Sequence, residues 1–175
     1  MRVNEMKRTT LIAGVAFATI ALGLAVAAAK PDFSGSWAMD RARSFGMPGN
    51  MQQTMVVKQT GEEIQLETKL IQPDNERTVK DVYILDGKEH EFTPPAPPNA
   101  PANAPAAKGK RTATWLPNGN GIVVNESTTT ETPKGPVTSQ LIRKWTLTGE
   151  GELTIDMYID GPNGSFETKR IFKRS

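Results

Sequence analysis

Apolar and polar residues alternate in short runs from about residue 50 onward, and tight turns separate one run from the next. Between residues 137 and 147, Leu141 and Trp145 share one face of such a run, while Ile142 and Lys144 share the other. A period of two residues is typical of antiparallel strands that bury one face and expose the other. No window supports a long amphipathic helix, so we predict an all-β chain.

Turns rich in glycine and asparagine, such as Asp86–Gly87 and Asn118–Gly121, separate these runs. Tight connections of this kind join hairpin neighbours, and a meander of hairpins protects its edges most simply by closing into a barrel. We therefore predict an antiparallel up-and-down barrel of eight to ten strands; a two-sheet sandwich is the competing architecture, and it usually needs long crossovers. The predicted strands span residues 34–39, 52–59, 63–70, 77–85, 88–93, 110–116, 121–131, 137–148, 152–160 and 165–173.

The first 29 residues differ in composition from the rest of the chain. Their start carries three basic residues, an apolar stretch follows from Leu11, and small residues close the segment at Ala29. This order is typical of a secretory signal peptide; the competing interpretation is a membrane anchor, because the 19 residues from Leu11 to Ala29 approach the length that spans a bilayer. We predict that residues 1–29 are a signal peptide, that residues 30–175 form one barrel domain, and that the protein is exported to the periplasm or the extracellular space.

The net charge of +2 comes from that leader, because residues 30–175 carry equal numbers of basic and acidic residues. Binding to a nucleic-acid backbone needs a local excess of Lys and Arg, so we expect no nucleic-acid partner. The chain has no Cys and a single His, His90, which excludes disulfides and thiolate zinc sites and leaves no transition-metal site. We expect a monomer with no cofactor, no metal and no stable membrane insertion after cleavage.

Residues 94–107 comprise six Pro, six Ala and two Asn. Nothing in this composition builds a core, and it is typical of a stiff spacer that favours polyproline II. We predict a loop between two strands. The alternative is a lid or a docking segment for a proline-binding partner.

The stretch Asp32–Trp37 reads D-F-S-G-S-W. It resembles the G-x-W motif at the start of lipocalin-like (calycin) barrels. The resemblance implies that Gly35 lets the backbone turn into the barrel, that Trp37 plugs one end, and that an Arg from a late strand lies over the indole. Arg170 in the last strand and Arg143 in the third from last are the two candidates for that Arg. Most of the chain after residue 29 is also similar to a group of small exported bacterial proteins that begin with this D-F-S-G-x-W stretch, a resemblance that implies no mechanism.

Arg143 is unusual because it lies on the apolar face of its predicted strand. A buried Arg needs a partner. One interpretation is a structural partner, either Trp37 or Asp81; the other is the carboxylate of a ligand, which suits the forked guanidinium. Aromatic residues of the strands would then form the walls of the ligand site, although aromatic residues also fill cores. The predicted walls are Trp145, Trp115 and Tyr83.

These residues support three functional hypotheses. We favour non-catalytic binding of a small apolar or amphipathic molecule inside the barrel, with Arg143 as its polar anchor. The second hypothesis is an interaction or structural role in the cell envelope, exercised through the loops and above all through residues 94–107. The third is an enzyme that acts through carboxylates, and we favour it least because His90 lies between two glutamates and no Ser, His and Asp set with a nucleophile-elbow pattern occurs.

Overall fold

The computed structural model describes residues 30–47, 49–95, 107–132 and 135–175. The predicted signal peptide and residues 96–106 of the Pro/Ala-rich stretch lie outside the described residues. The regular structure of these ranges consists of ten strands and one short 3-10 helix, Arg41–Arg43. The strands are β1 (Gly35–Met39), β2 (Gln52–Thr60), β3 (Glu63–Gln72), β4 (Asn75–Ile84), β5 (Glu89–Phe92), β6 (Lys108–Trp115), β7 (Gly121–Thr132), β8 (Gly135–Leu147), β9 (Leu153–Gly161) and β10 (Gly164–Arg174).

All ten strands belong to one antiparallel sheet with the order β4-β3-β2-β1-β10-β9-β8-β7-β6-β5. Strands that follow each other in sequence are paired except for β4 and β5, which form the two edges, and β1 pairs with β10. The sheet curls into a barrel with one seam, between β4 and β5. The predicted all-β meander is confirmed, and the sandwich is excluded because one hydrogen-bonded sheet contains every strand. Within the described ranges, no helix has the length and apolar character needed to cross a bilayer.

The alternation in the sequence becomes an alternation of burial along the strands. In β2, Gln53, Met55 and Val57 are buried, whereas Gln52, Thr54 and Val56 between them are exposed. In β8, Trp145 is buried and the other inward residues are partly buried, whereas most of the outward residues are exposed. Burial of an apolar face contributes roughly 25 cal/mol per Å² removed from water, and a slip of one residue would turn that face outward, so the pairing register is strongly specified.

Aromatic side chains fill one end of the barrel, which also holds the β4–β5, β6–β7 and β8–β9 turns. The Phe33 ring meets the Trp145 ring edge to face, with 5.8 Å between the centroids, and stacks on Trp115 at 6.4 Å. Tyr83 also meets Trp145 edge to face, at 5.8 Å. Aromatic pairs contribute about 0.5–1.5 kcal/mol each beyond the burial of their area. We call this region the filled end.

The D-F-S-G-S-W stretch leads into β1, and Trp37 is fully buried. Gly35 has a φ of 135°, and a Cβ at this position would lie 2.7 Å from Arg174 Nη1, so only glycine fits here without strain. Arg174 Cζ lies 4.5 Å from the centroid of the Trp37 ring. The same guanidinium donates a 2.6 Å hydrogen bond to the Ser34 carbonyl and thereby ties the end of β10 to the start of β1.

The Arg that covers Trp37 is therefore Arg174, and the prediction that Arg170 or Arg143 takes this position is wrong. The pairing register sets Trp37 opposite Arg174. Arg170 lies four positions earlier in β10, about 13 Å away along the strand, where it pairs with Ile155. Arg143 belongs to β8, which is separated from β1 by β9 and β10.

Candidate functional site

The half of the barrel away from the filled end holds a cavity of about 340 Å³. Its walls come from the inward faces of the strands, and Tyr83 and Trp145 border it on the side of the filled end. Concave sites with mainly apolar walls and a few polar groups are the usual form of small-molecule sites. The apolar walls include Leu66, Leu70, Val79, Leu141, Met157 and Ile159.

A buried ion network lies on one side of this cavity. Arg111 of β6 donates from Nε to Glu126 at 2.6 Å and from Nη2 to Asp81 at 2.7 Å. Glu126 also forms an ion pair with Arg143 Nη1. The side chains of Arg111 and Glu126 are only 6% and 5% exposed. Buried charges persist only when they are paired and hydrogen-bonded, and here two carboxylates neutralise two guanidinium groups.

Arg111 also joins the two edges of the sheet. Its Nη1 donates a 2.9 Å hydrogen bond to the Val82 carbonyl of β4, although Arg111 itself belongs to β6. The rings of Phe92 and Tyr83 lie 4.0 Å and 4.7 Å from its Cζ, at distances typical of cation–π contacts. A Cβ on Gly109 would collide with the Phe92 ring, so the glycine makes room for this stack. The seam is thus closed by side chains where no backbone ladder forms among the described residues.

Burial and charge shift the pKa values of groups around the network. Burial raises the pKa of the Tyr83 hydroxyl to about 12, although the positive charge of Arg143 acts in the opposite direction. Burial alone would lower the pKa of Arg143, but the nearby acidic groups of Tyr83, Glu126 and Asp81 outweigh it and raise that pKa. At neutral pH, Tyr83 is therefore uncharged and Arg143 is fully protonated.

Arg170 lines the same cavity from β10 and has a different environment. Its Nη1 donates a 2.5 Å hydrogen bond to Oε1 of the buried Gln53. Its Nε is buried and has no hydrogen-bond partner among the described residues. Burial, reinforced by the charge of Arg143, lowers the pKa of Arg170 to about 10. Arg170 is therefore a protonated cation at neutral pH, and the described residues supply it with a neutral amide but no carboxylate.

The walls of the cavity carry an excess of positive charge. Two carboxylates, Asp81 and Glu126, face the three guanidinium groups of Arg111, Arg143 and Arg170. Arg77 also lines the cavity and makes an interaction of its own, so it is not counted in this excess. In a low-dielectric interior such an excess attracts an anion far more strongly than it would in water.

The structure places the predicted site residues in different regions. Arg143 faces the interior, and its closest ionic partner is Glu126, which neither interpretation of the sequence named. Tyr83 and Trp145 border the cavity. Trp115 does not line it: this residue stacks on Phe33 at the filled end, where Lys30 Nζ lies 4.7 Å from its ring.

Sequence reasoning missed Arg111 and Glu126, yet a signal for both was present. Glu126 lies on the same strand face as Ile122 and Val124, and Arg111 lies on the same strand face as Ala113. Both are charged residues on an apolar face, which is the pattern that singled out Arg143. Gln53 is likewise a polar residue on an apolar face, because it shares its strand face with Met55 and is buried.

Two further observations concern metal-ligand and acid–base groups in the described part of the chain. No group of three or more His, Asp or Glu side chains there is arranged to hold a metal ion. His90 Nε2 lies 3.0 Å from Asp86 Oδ1 on the exposed surface. The hydrogen bond to His90 is the main reason that the pKa of Asp86 is lowered. These two groups lie outside the cavity, so the ion network and Arg170 are the chemically distinctive part of the molecule.

Comparisons with known proteins show which solved structure has a similar fold. No protein-family model matches the chain, and no curated protein matches it either. Among solved structures, the chain is similar to the crystal structure of zebrafish ileal bile acid-binding protein complexed with cholic acid, with a TM-score of 0.50 and 16% sequence identity. The match covers 82% of this chain and 98% of that chain. At this identity the likeness shows the fold alone, a curled antiparallel β-barrel.

Proposed function

We propose that this protein is a non-catalytic binder of a small amphipathic acid, which it holds inside the barrel with the acid group on Arg170. One observation carries the proposal: Arg170 is a protonated cation that lines an apolar cavity without a carboxylate partner among the described residues. Its buried Nε is an unused hydrogen-bond donor. A buried charge without compensation is unfavourable, and an incoming carboxylate would supply the missing partner.

Arg170 replaces Arg143, which the sequence indicated, as the proposed polar anchor. Glu126 already pairs with Arg143, so an anion that binds there competes with a carboxylate held in place by the fold. Among the described residues, the Arg170 guanidinium is hydrogen-bonded to the Gln53 amide and has no carboxylate partner, so an anion that binds there displaces no carboxylate. Arg143 still contributes through its charge, because it lies close enough to lower the pKa of Arg170.

The apolar walls supply the rest of the proposed binding energy. Leu66, Leu141 and Met157 line the cavity together with other aliphatic side chains, and burial of apolar ligand area contributes roughly 25 cal/mol per Å². The zebrafish protein of similar fold was crystallised with cholic acid, so a barrel of this kind accommodates an amphipathic acid. This supports an amphipathic acid as the class of ligand, and binding experiments with individual acids would identify the ligand itself.

A displacement assay tests the proposal. The purified protein is loaded with anilinonaphthalene sulfonate, a fluorescent apolar anion, and titrated with dodecanoate or with the neutral dodecanol. We expect dodecanoate to bind about tenfold or more tightly than dodecanol, as a charge-assisted bond predicts. Arg170→Gln should remove this preference. Lys144→Gln, which deletes the same charge from an exposed position of β8, should leave it unchanged.

Two results would overturn the proposal. If the wild-type protein takes up neither the probe nor dodecanoate, the cavity is not a binding site for this class. If Arg170→Gln folds and retains the preference for the acid over the alcohol, Arg170 is not the anchor.

We also propose that the protein is exported and acts in the periplasm or outside the cell. The support is the order of basic, apolar and small residues in residues 1–29. Fractionation of the producing cells, followed by N-terminal sequencing of the recovered protein, tests it. A chain that retains residues 1–29 in the cytoplasmic fraction would contradict export.

A further inference from the structure

We infer that Asp81 recognises a hydrogen-bond donor on the ligand, so that the ligand is an amphipathic acid with a second polar group, a hydroxyl or an amine. This inference rests on the proposed function and narrows its ligand class. It concerns the wall of the cavity opposite Arg170.

Asp81 lies on the inward face of β4, between Val79 and Tyr83, and lines the cavity. Its Oδ1 accepts the 2.7 Å hydrogen bond from Arg111. Its Oδ2 has no hydrogen-bond or ion-pair partner within the described ranges. Since an ionised carboxylate accepts at both oxygens, Asp81, which lines the cavity, has an unused acceptor oxygen.

Glu126, the other carboxylate of the cavity wall, has no such oxygen. Arg111 occupies its Oε1, and Arg143 occupies its Oε2. Its side chain is 5% exposed, compared with 18% for Asp81. Of the two interior carboxylates, Asp81 is therefore the one that a ligand can reach.

The sheet order sets Asp81 and Arg170 on opposite walls. Four strand steps separate β4 from β10 in one direction, and five steps and the seam separate them in the other. Leu66 lies beside Asp81 in the pairing register, and Ile155 lies beside Arg170. A ligand that satisfies both polar residues must therefore carry its acid and its donor at separate positions, with apolar atoms between them.

The competing interpretation gives Asp81 a structural role only, as a partner of Arg111. That role predicts no dependence of Asp81 on the ligand's second polar group. A site built to accept a hydrogen bond disfavours the analogue that lacks the donor, because the acceptor is then left unpaired. Matched ligands therefore distinguish the two roles.

The experiment uses displacement of anilinonaphthalene sulfonate by dodecanoate, ω-hydroxydodecanoate and ω-aminododecanoate. We expect the wild-type protein to bind the hydroxylated and aminated acids about tenfold more tightly than dodecanoate, as expected for a hydrogen bond to a charged acceptor. The hydroxyl and amine arms distinguish the two kinds of donor. Asp81→Asn keeps an oxygen for Arg111 and removes the charge, so it should reduce this advantage to less than about twofold.

Asp156→Asn is the matched control, because Asp156 pairs with Lys169 on the outer surface. It should leave the advantage unchanged. Asp81→Glu is a second variant that keeps the carboxylate and should preserve part of the advantage.

The two kinds of failure are distinguishable. If dodecanoate itself does not bind, the proposed function fails. If all three acids bind the wild-type protein equally, or if the advantage persists in folded Asp81→Asn, the inference about Asp81 is overturned while the proposed function stands.

Discussion

Arg143 and Arg170 face the same cavity from β8 and β10, and only Arg143 has a carboxylate partner among the described residues. The two guanidinium groups are close enough that the charge of Arg143 lowers the pKa of Arg170. The network around Glu126 thus compensates the charge of Arg143 and leaves Arg170 as the cation that attracts an anion.

Glu126→Gln should destabilise the protein strongly. The substitution leaves Arg111 and Arg143 buried without their shared carboxylate, and removal of one partner from a buried ion pair costs about 3–5 kcal/mol. Urea denaturation followed by tryptophan fluorescence measures the free energy of unfolding. Glu67→Gln removes an exposed partner of Lys80 and should cost about 1 kcal/mol or less; equal losses in the two variants would contradict the central role of Glu126.

Arg111→Lys should loosen the seam between β4 and β5. A lysine ammonium cannot match the fork that reaches Glu126, Asp81 and the Val82 carbonyl together. We expect faster amide hydrogen exchange in these two edge strands, with smaller changes in β9 and β10. Lys144→Gln, which changes an exposed lysine of β8 far from these two strands, is the control. Unchanged exchange in β4 and β5 would show that Arg111 does not hold the seam.

The affinity for an anionic ligand should fall at high pH. Burial lowers the pKa of Arg170 to about 10, so its charge is complete at neutral pH and is lost as the pH rises through that value. The stability of the fold should change in the opposite direction. Because burial in the folded protein disfavours the charged form of Arg170, this residue destabilises the fold fully below about pH 10, and the destabilisation is relieved as the pH rises further. Titrations of dodecanoate at several pH values test the binding. The decline should be absent in Arg170→Gln, and an identical decline there would assign it to another group.

Gly35→Ala should destabilise the start of the barrel by about 1–3 kcal/mol, the range for a residue forced into a sparsely populated backbone conformation. Gly35 has a φ of 135°, and an added Cβ would meet Arg174 at 2.7 Å. Thermal unfolding provides the measurement. Gly149→Ala is the control, because that glycine has open space around it. A loss no larger than that of the control would mean that Arg174 and the backbone adjust without strain.

The positions of the strands could be predicted closely from the sequence. Predicted strands over 52–59 and 121–131 correspond to Gln52–Thr60 and Gly121–Thr132 in the structure. The reason is local: a period of two residues and the turn residues that interrupt it are visible in any window of the chain. The same rule placed Arg143 on an inward face.

The partners of the inward residues could not be predicted in this way. Which carboxylate meets Arg143 depends on the β7–β8 register, which sets Glu126 opposite Leu141, one inward position from Arg143. Which Arg covers Trp37 depends on the β1–β10 register, which favours Arg174 over Arg170. Trp115 belongs to the filled end because of the depth at which it lies in the barrel, and alternation carries no information about depth.

The sequence by itself determines the class of fold, the order of the hairpins and the face on which each side chain lies. These features follow from the two-residue period and the turn chemistry of residues that are neighbours in the chain. Which inward residues share a level of the barrel is instead a property of the folded sheet. Its curling brings β4, β6, β7 and β8 around one ion network and leaves Arg170 of β10 beside a neutral Gln53. Pairing of buried charges depends on distances between strands far apart in sequence, and those distances are set by register and closure.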